Sequence, residues 1–408
     1  MSRNRARGNG EGSLYPVPGG WRGYAWVTSP DGIRNRKYVK AATYDEARNA
    51  WLKLRAKAET GPVASSVPKL DEFMSYWLRE VVQPNLAPKT HERYEMFTRL
   101  YIRPNLGSKR LNKLSPRDVR SWLNKLRAQC QCCAQGKDAR RLEGKRRCCA
   151  IGRCCGQVAS VRTCRDARDT LRAALSYAVT EDELISRNVA ALVRLPSGRT
   201  RKVRAWSVTE ACQFLESARS GNDPLYTAYV LMLVLGLRRG EVLGLPWSNV
   251  NLDIAELDVS WQLQRTEQQL HHRETKTPGS DAPLPVPGIC ATALKLQAER
   301  QAAWKQLAGA AWLGSGLVIT TRCGTPFEPR NFNRQFAARC TKAGVRYIKP
   351  HGMRRTCASL LAALDVHPRV AMRILRHSKI AVTMEIYTEV PDEITRDALR
   401  RLGEQLGR

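Results

Sequence analysis

Six side chains, far apart in the sequence, are of types suited to moving a phosphoryl group: Arg238, Lys276, His351, Arg354, His377 and Tyr387. Arg238 stands in Gly236-Leu237-Arg238-Arg239-Gly240-Glu241, just after the apolar run 225–235. An arginine fixed between buried segments must meet a carboxylate or an anion, because an unpaired buried charge is costly. Glu241 is one such partner, so a structural ion pair is the plain reading there. His351 and Arg354 lie three apart in Pro350-His351-Gly352-Met353-Arg354, at a predicted helix start. They share a face where free N–H groups and the helix dipole favour anions. Lys276 occupies Thr275-Lys276-Thr277 in the polar loop of a predicted hairpin, where a solvated charge is the ordinary reading. His377 sits in Leu375-Arg376-His377-Ser378 at the end of one helix, and Tyr387 in Ile386-Tyr387-Thr388 on the next. Guanidinium forks match the non-bridging oxygens of a phosphodiester, and an imidazole N–H adds a donor. A phenol, with an ordinary pKa of about 10, attacks only beside a base or in a strongly cationic site.

The composition points to a polyanionic partner. The 408 residues carry Lys+Arg 68 against Asp+Glu 37, a formal charge of +31. A basic excess runs through the N-terminal, middle and C-terminal sections, which suggests a long electrostatic footprint on a phosphate backbone. That balance argues against an ordinary acidic metabolic enzyme, although composition alone leaves a ribosomal or histone-like component open. The longest apolar stretch, 225–237, is too short for a bilayer, which needs about 18–20 residues. Residues 1–20 are polar and Gly-rich, unlike a secretory signal. Neither a membrane span nor secretion is expected.

The elements that must position these groups fall into blocks. Residues 1–13 are expected to be disordered. Strands are predicted over 23–28 and 35–40, joined by a Ser29-Pro30-Asp31-Gly32 turn, then a helix from Tyr44 to about Glu59 capped by Thr43. Arg34, Arg36, Lys37 and Lys40 would suit a DNA groove, whereas the aromatics of so small a fold are usually core. Residues 61–68 read as a linker. Helices are predicted from Lys69, over 89–101 ending before Pro104, over 117–128 after Ser115-Pro116, and over 160–179. Between the last two lie seven of the 13 cysteines, from Cys130 to Cys155, while the other six look like ordinary buried thiols. Zinc is the favoured structural explanation of the cluster, against redox-labile thiols or plain loop cysteines, although adjacent cysteines do not readily bind one ion. After the basic stretch 195–204, a further helix is capped at Ser207. Strands follow at 255–261 and 283–286, and helices over 288–307 and 329–343.

Taken in order, G-L-R-x-G-E, T-K-T, H-x-x-R, L-x-H-S and I-Y-T resemble the tyrosine recombinase (phage integrase) family. The resemblance is strong over about 205–390 and weaker over the helical block. It implies a multidomain, mainly α chain with small β-sheets. An arm-type DNA-binding sheet-plus-helix would fill 1–60, a helical core-binding domain 69–194, and an α+β catalytic domain 205–390. A C-terminal helix in 391–408 would pack on a neighbouring protomer. Arg238, Arg354 and His377 would stabilise the transition state, His351 would serve as base, and Lys276 would protonate the 5′-oxygen. Tyr387 would form a 3′-phosphotyrosyl bond that another strand's 5′-hydroxyl resolves, through a Holliday junction. Neither ATP nor a catalytic metal is implied.

The implied partners are double-stranded DNA attachment sites, three further copies of the chain, and host-factor or excisionase proteins. The setting would be the cytoplasm of a bacterium carrying a mobile element. Rival readings are a type IB topoisomerase, a hairpin-forming resolvase, or a catalytically silent DNA-binding regulator. Two departures stand out: Arg376 occupies a place usually held by glycine, and Asp281 lies where a basic residue often follows the lysine.

Overall fold

The computed structural model describes residues 13–28, 32–61, 67–196, 204–266, 269–275, 283–376, 380–387 and 400. Contacts divide the chain into two compact units, residues 1–199 and 200–408.

The first unit opens with an antiparallel sheet of β1 (Ser13–Val17), β2 (Gly20–Thr28) and β3 (Arg34–Ala41), in that order. The expectation of disorder to residue 13 is corrected at its last residue, which starts β1; residues 1–12 lie outside the described set. This edge strand contains Pro16, which removes a donor and disguises it in sequence. Helix α1 (Tyr44–Thr60) starts where the Thr43 hydroxyl accepts the Glu46 N–H at 3.3 Å. It packs Trp51 and Leu54 onto Ala25 and Val27, and the Trp51 indole N–H donates to the Tyr24 carbonyl at 2.8 Å. Strand periodicity sends Tyr24 and Trp26 to the opposite face. There Arg36 stacks 4.7 Å from the Trp26 ring centre and Arg22 4.3 Å from that of Tyr38. Most of the sheet's aromatics are therefore not core.

Helices α2 (Leu70–Tyr76), α3 (Pro88–Phe97), α4 (Pro116–Ala128) and α5 (Val161–Thr180) share a core that includes Phe73, Trp77, Trp122 and Leu171. Ser115 and Asp118 cap α4 reciprocally, with Pro116 at the first helical position. The helix expected to stop before Pro104 instead continues through a wide π-type turn, Thr98–Ile102, into Arg103–Leu106. A second such turn, Trp77–Val82, precedes Pro84. Proline lacks an N–H and its ring crowds the carbonyl four residues back. A wider turn just before it relieves both problems.

The cysteine-rich insertion leaves α4 and rejoins α5 through a hydrogen-bonded stem. Gln131 N–H donates to Gln157 at 2.8 Å and Ala159 N–H to Leu126 at 3.0 Å. Inside it Asp138 is 1% exposed and accepts the N–H groups of Cys148 at 2.9 Å, Ala150 at 3.1 Å and Arg147 at 3.2 Å. Burial alone would raise its carboxyl, but the donors of Cys148, Ala150 and Arg147 hold it down at about 2. Asp138→Ala strands these donors. Chemical denaturation should show a loss of stability, with faster proteolysis of the insertion. Of the six scattered cysteines, Cys164, Cys290, Cys340 and Cys357 are buried as expected, but Cys212 and Cys323 are exposed.

In the second unit, α6 (Val208–Ser220) is capped by Ser207 with Glu210, and α7 (Tyr226–Val234) is almost wholly buried. Around them Phe214, Tyr229, Phe332 and Phe336 form an aromatic core. The strand expected over 255–261 is in fact two. Glu256–Asp258 (β5) lies between β4 (Val250–Asn251) and β8 (Pro283–Pro285), while β6 (Trp261–Arg265) pairs with β7 (Leu270–Glu274). Asn249 fixes the break, its amide reaching the Asp258 carboxylate at 2.9 Å and the Ser260 hydroxyl at 2.7 Å. Among the described residues no helix is long and apolar enough to cross a membrane. The helix expected within 391–408 lies outside the described residues, Arg400 apart.

Candidate active site

Short helix α8 (Arg239–Leu243) begins at Arg238. The chain reaches it from α7 through Gly236, whose φ of 62° is left-handed. A Cβ at Gly236 would come within 2.6 Å of Leu375 Cδ2 and 3.3 Å of Cys357 Sγ. The Gly236 carbonyl also accepts from Arg354 at 2.7 Å. Gly236→Ala thus meets both a backbone and a space conflict. Denaturation should show about 1–3 kcal/mol of destabilisation from overpacking alone, and strand cleavage should fall with the displaced Arg354.

Arg354 lies on α11 (Pro350–Ala363; α9 is Gly288–Ala308 and α10 is Pro329–Lys342) and is 3% exposed. Its other fork nitrogen donates to the carbonyl of Leu375, the last residue of α12 (Pro368–Leu375). One guanidinium therefore ties the segment before Arg238 to the helix end before His377. Arg238 itself keeps 40% side-chain exposure and donates to Glu241 Oε1 at 2.6 Å. Its main-chain N–H takes Oε2 of the same carboxylate at 2.8 Å.

Arg376, which breaks the glycine pattern, turns inward. Its side chain is fully buried and pairs with Glu241, while Nε and one terminal nitrogen meet no partner among the described residues. Its φ of 52° explains why glycine suits this position, since other residues enter that region at a cost of roughly 1–2 kcal/mol. Burial first, then the Arg238 cation, disfavours the charge of Arg354, with Glu241 opposing. Arginine nonetheless keeps its proton in proteins. Three guanidinium groups thus converge where one buried carboxylate serves two of them directly.

His351 stands in the first turn of α11. Its side chain reaches solvent, yet the protein packed around it, then the Arg354 and Arg238 cations, push its imidazole pKa below the usual value. Beside it opens a cleft of about 450 Å³ lined by Arg239, Asn333, Tyr347, Lys349 and Pro350. Arg239 is braced across the cleft on Asn333 Oδ1 at 2.6 Å.

The structure brings together Arg238, His351 and Arg354. Lys276, His377 and Asp281 lie outside the described residues. The hairpin leading to Lys276 is fastened to α8: His272 Nε2 lies 2.8 Å from the Gly244 carbonyl, and Gly244 touches the main chain of Gln262. Tyr387 is the last residue of α13 (Ile380–Tyr387), which packs on α11 and α12. Sequence reasoning treated Glu241 only as a structural partner and missed its double duty toward Arg376. The non-glycine residue at 376 was the signal that could have found it.

This cationic pocket is suited to holding the oxygens of a phosphodiester. The sequence matches the phage integrase family over residues 206–393 and the phage integrase N-terminal SAM-like domain over 69–127. The chain belongs to the phage integrase family of tyrosine recombinases, enzymes of site-specific DNA recombination. A tyrosine recombinase XerC-like protein of Caldanaerobacter subterraneus subsp. tengcongensis is 26% identical, over 82% of this chain and 83% of its own. An integrase of Streptomyces ambofaciens is also 26% identical, over 95% and 94%. Among solved structures, the Tn1549 transposon integrase in complex with transposon right end DNA superposes with a TM-score of 0.64 at 18% identity. It covers 82% of this chain and 99% of that one. A lambda integrase tetramer bound to a Holliday junction gives 0.52 at 16% identity, covering 93% and 96%.

Proposed function

We propose that the chain integrates and excises a mobile element, cutting each strand with Tyr387 to leave a 3′-phosphotyrosyl bond and a free 5′-hydroxyl. The observation that carries this reading is the cation excess: Arg238, Arg354 and Arg376 around the buried carboxylate of Glu241. Such a site gains most from a dianionic pentacoordinate phosphorane, where preorganised donors act on the charge that develops. Arg238, the more exposed guanidinium, faces the phosphate and Arg354 braces the site as well as adding charge. His351 accepts the phenol proton, Lys276 protonates the leaving 5′-oxygen, and His377 donates to a non-bridging oxygen. No ATP is consumed because the phosphoester is exchanged rather than hydrolysed, and no catalytic metal takes part.

Mixing the protein with two different attachment-site duplexes should yield recombinant joints. Relaxation of supercoils without joining would favour a type IB topoisomerase instead. A base must be unprotonated to act, and the His351 imidazole titrates below its ordinary value. The acid limb of the cleavage-rate profile is therefore expected below about pH 6.5. His351→Gln should abolish that limb.

The outer face of the N-terminal sheet, with arginines stacked on Tyr24, Trp26 and Tyr38, suits arm-type DNA contact. Four copies would assemble on paired sites, the segment 391–408 reaching a neighbour, with host-factor or excisionase proteins biasing direction. The Cys130–Cys155 cluster holds structural zinc in this reading.

A further inference from the structure

We propose that the seven clustered thiols hold two zinc ions, with Cys149 as the sulfur shared between them. The inference rests on the zinc reading just given and goes on to its stoichiometry and connectivity.

Two overlapping groups of sulfur atoms carry it. Cys130, Cys133, Cys149 and Cys154 have Sγ atoms all within 4.8 Å of one another, and so do Cys132, Cys148, Cys149 and Cys155. Individual spacings are 3.6 Å for Cys133–Cys154, 3.8 Å for Cys132–Cys148, 3.9 Å for Cys130–Cys149 and 3.7 Å for Cys149–Cys155. Four sulfurs at about 2.3 Å from a tetrahedral zinc stand about 3.8 Å apart. A disulfide would need about 2.05 Å, and all seven thiols are free. Seven ligands are one too few for two separate tetrahedra. Sharing Cys149 completes both.

This arrangement also answers the difficulty of neighbouring cysteines for two of the three adjacent pairs. Cys132 and Cys133 go to different ions, as do Cys154 and Cys155, while Cys148 serves one ion beside the shared Cys149. Binding releases seven thiol protons and leaves a cluster of two Zn²⁺ and seven thiolates, with three excess negative charges. Lys137, Arg141 and Arg147 line the adjoining cavity, Arg141 being shared with Asp138. Asp138 in turn holds the N–H of Cys148, so a ligand-bearing turn is fixed from behind. Cys133, Cys154 and Cys155 are exposed. An insertion with so little apolar core gains its order from metal ligation, as small metal-bound modules do.

The test counts metal in the full-length protein purified with zinc, by releasing it with a thiol reagent into a chromogenic chelator. Two zinc ions per chain are expected. One would overturn the shared-sulfur cluster while leaving a single zinc site, and none would overturn both. Cys149→Ser should lower the count from two to one or fewer, whereas C164S, outside the cluster, should keep two. Retention of two by C149S would overturn the bridge. Should C149S fail to fold, cobalt titration of the metal-free wild-type protein decides. The paramagnetic resonance signal of Co²⁺ should rise with the first equivalent and fall with the second, as two ions couple through one sulfur. A linear rise through two equivalents would overturn the proposal.

Discussion

Tyr387→Phe is expected to abolish the covalent protein–DNA adduct while leaving DNA affinity unchanged. The substitution removes one oxygen at the end of α13. Affinity for DNA comes mainly from lysine and arginine contacts to phosphates, spread here over a chain of net charge +31. Binding by filter or gel shift should therefore match the wild type. Cleavage has no such reserve, since in the proposed reaction the Tyr387 oxygen forms the bond to phosphorus as the 5′-oxygen leaves. Tyr347→Phe, in the cleft beside His351, is the control and should retain adduct formation. Recombination by the Tyr387 variant at the wild-type rate would refute the nucleophile.

Glu241→Ala is expected to have the largest effect on stability. The carboxylate is 3% exposed and serves Arg238 on one oxygen and the fully buried Arg376 on the other. Removing one partner of a buried pair leaves an uncompensated charge, at a cost of about 3–5 kcal/mol. The Arg376 guanidinium would be stranded while Arg238 still reaches solvent, so urea unfolding should show a loss within that range. Added sulfate or phosphate should restore more stability to this variant than to the wild type, because an anion can take the vacated place. Glu241→Gln keeps the shape and one acceptor and should lose less. A Glu241→Ala protein within 1 kcal/mol of the wild type would show that the carboxylate does not hold the site together.

Local signals made much of the fold readable. Thr43, Ser115 and Ser207 cap their helices as their neighbours in sequence imply. Nonlocal partners hid the rest. The division of 255–261 into two strands depends on Asn249 reaching both sides of the break, and the continuation past Pro104 on a turn that widens to admit a proline. At the site, motif order brought Arg238, His351 and Arg354 into view without their geometry. That Arg376 would bury itself on Glu241 follows from a left-handed backbone and a packed interior, neither of which is written in the spacing of residues. The cysteines carry the same lesson. Adjacency along the chain counted against a shared ion, whereas the fold places Cys132 and Cys133, and likewise Cys154 and Cys155, in different sulfur groups, with Cys148 and Cys149 sharing one.

The most direct measurement traps the protein on a nicked duplex of its own attachment site, digests the adduct with protease, and identifies the modified peptide by mass spectrometry. A nucleotide 3′-phosphate joined to Tyr387 is the predicted result. Attachment through any other residue, or through a 5′-phosphate, would contradict it.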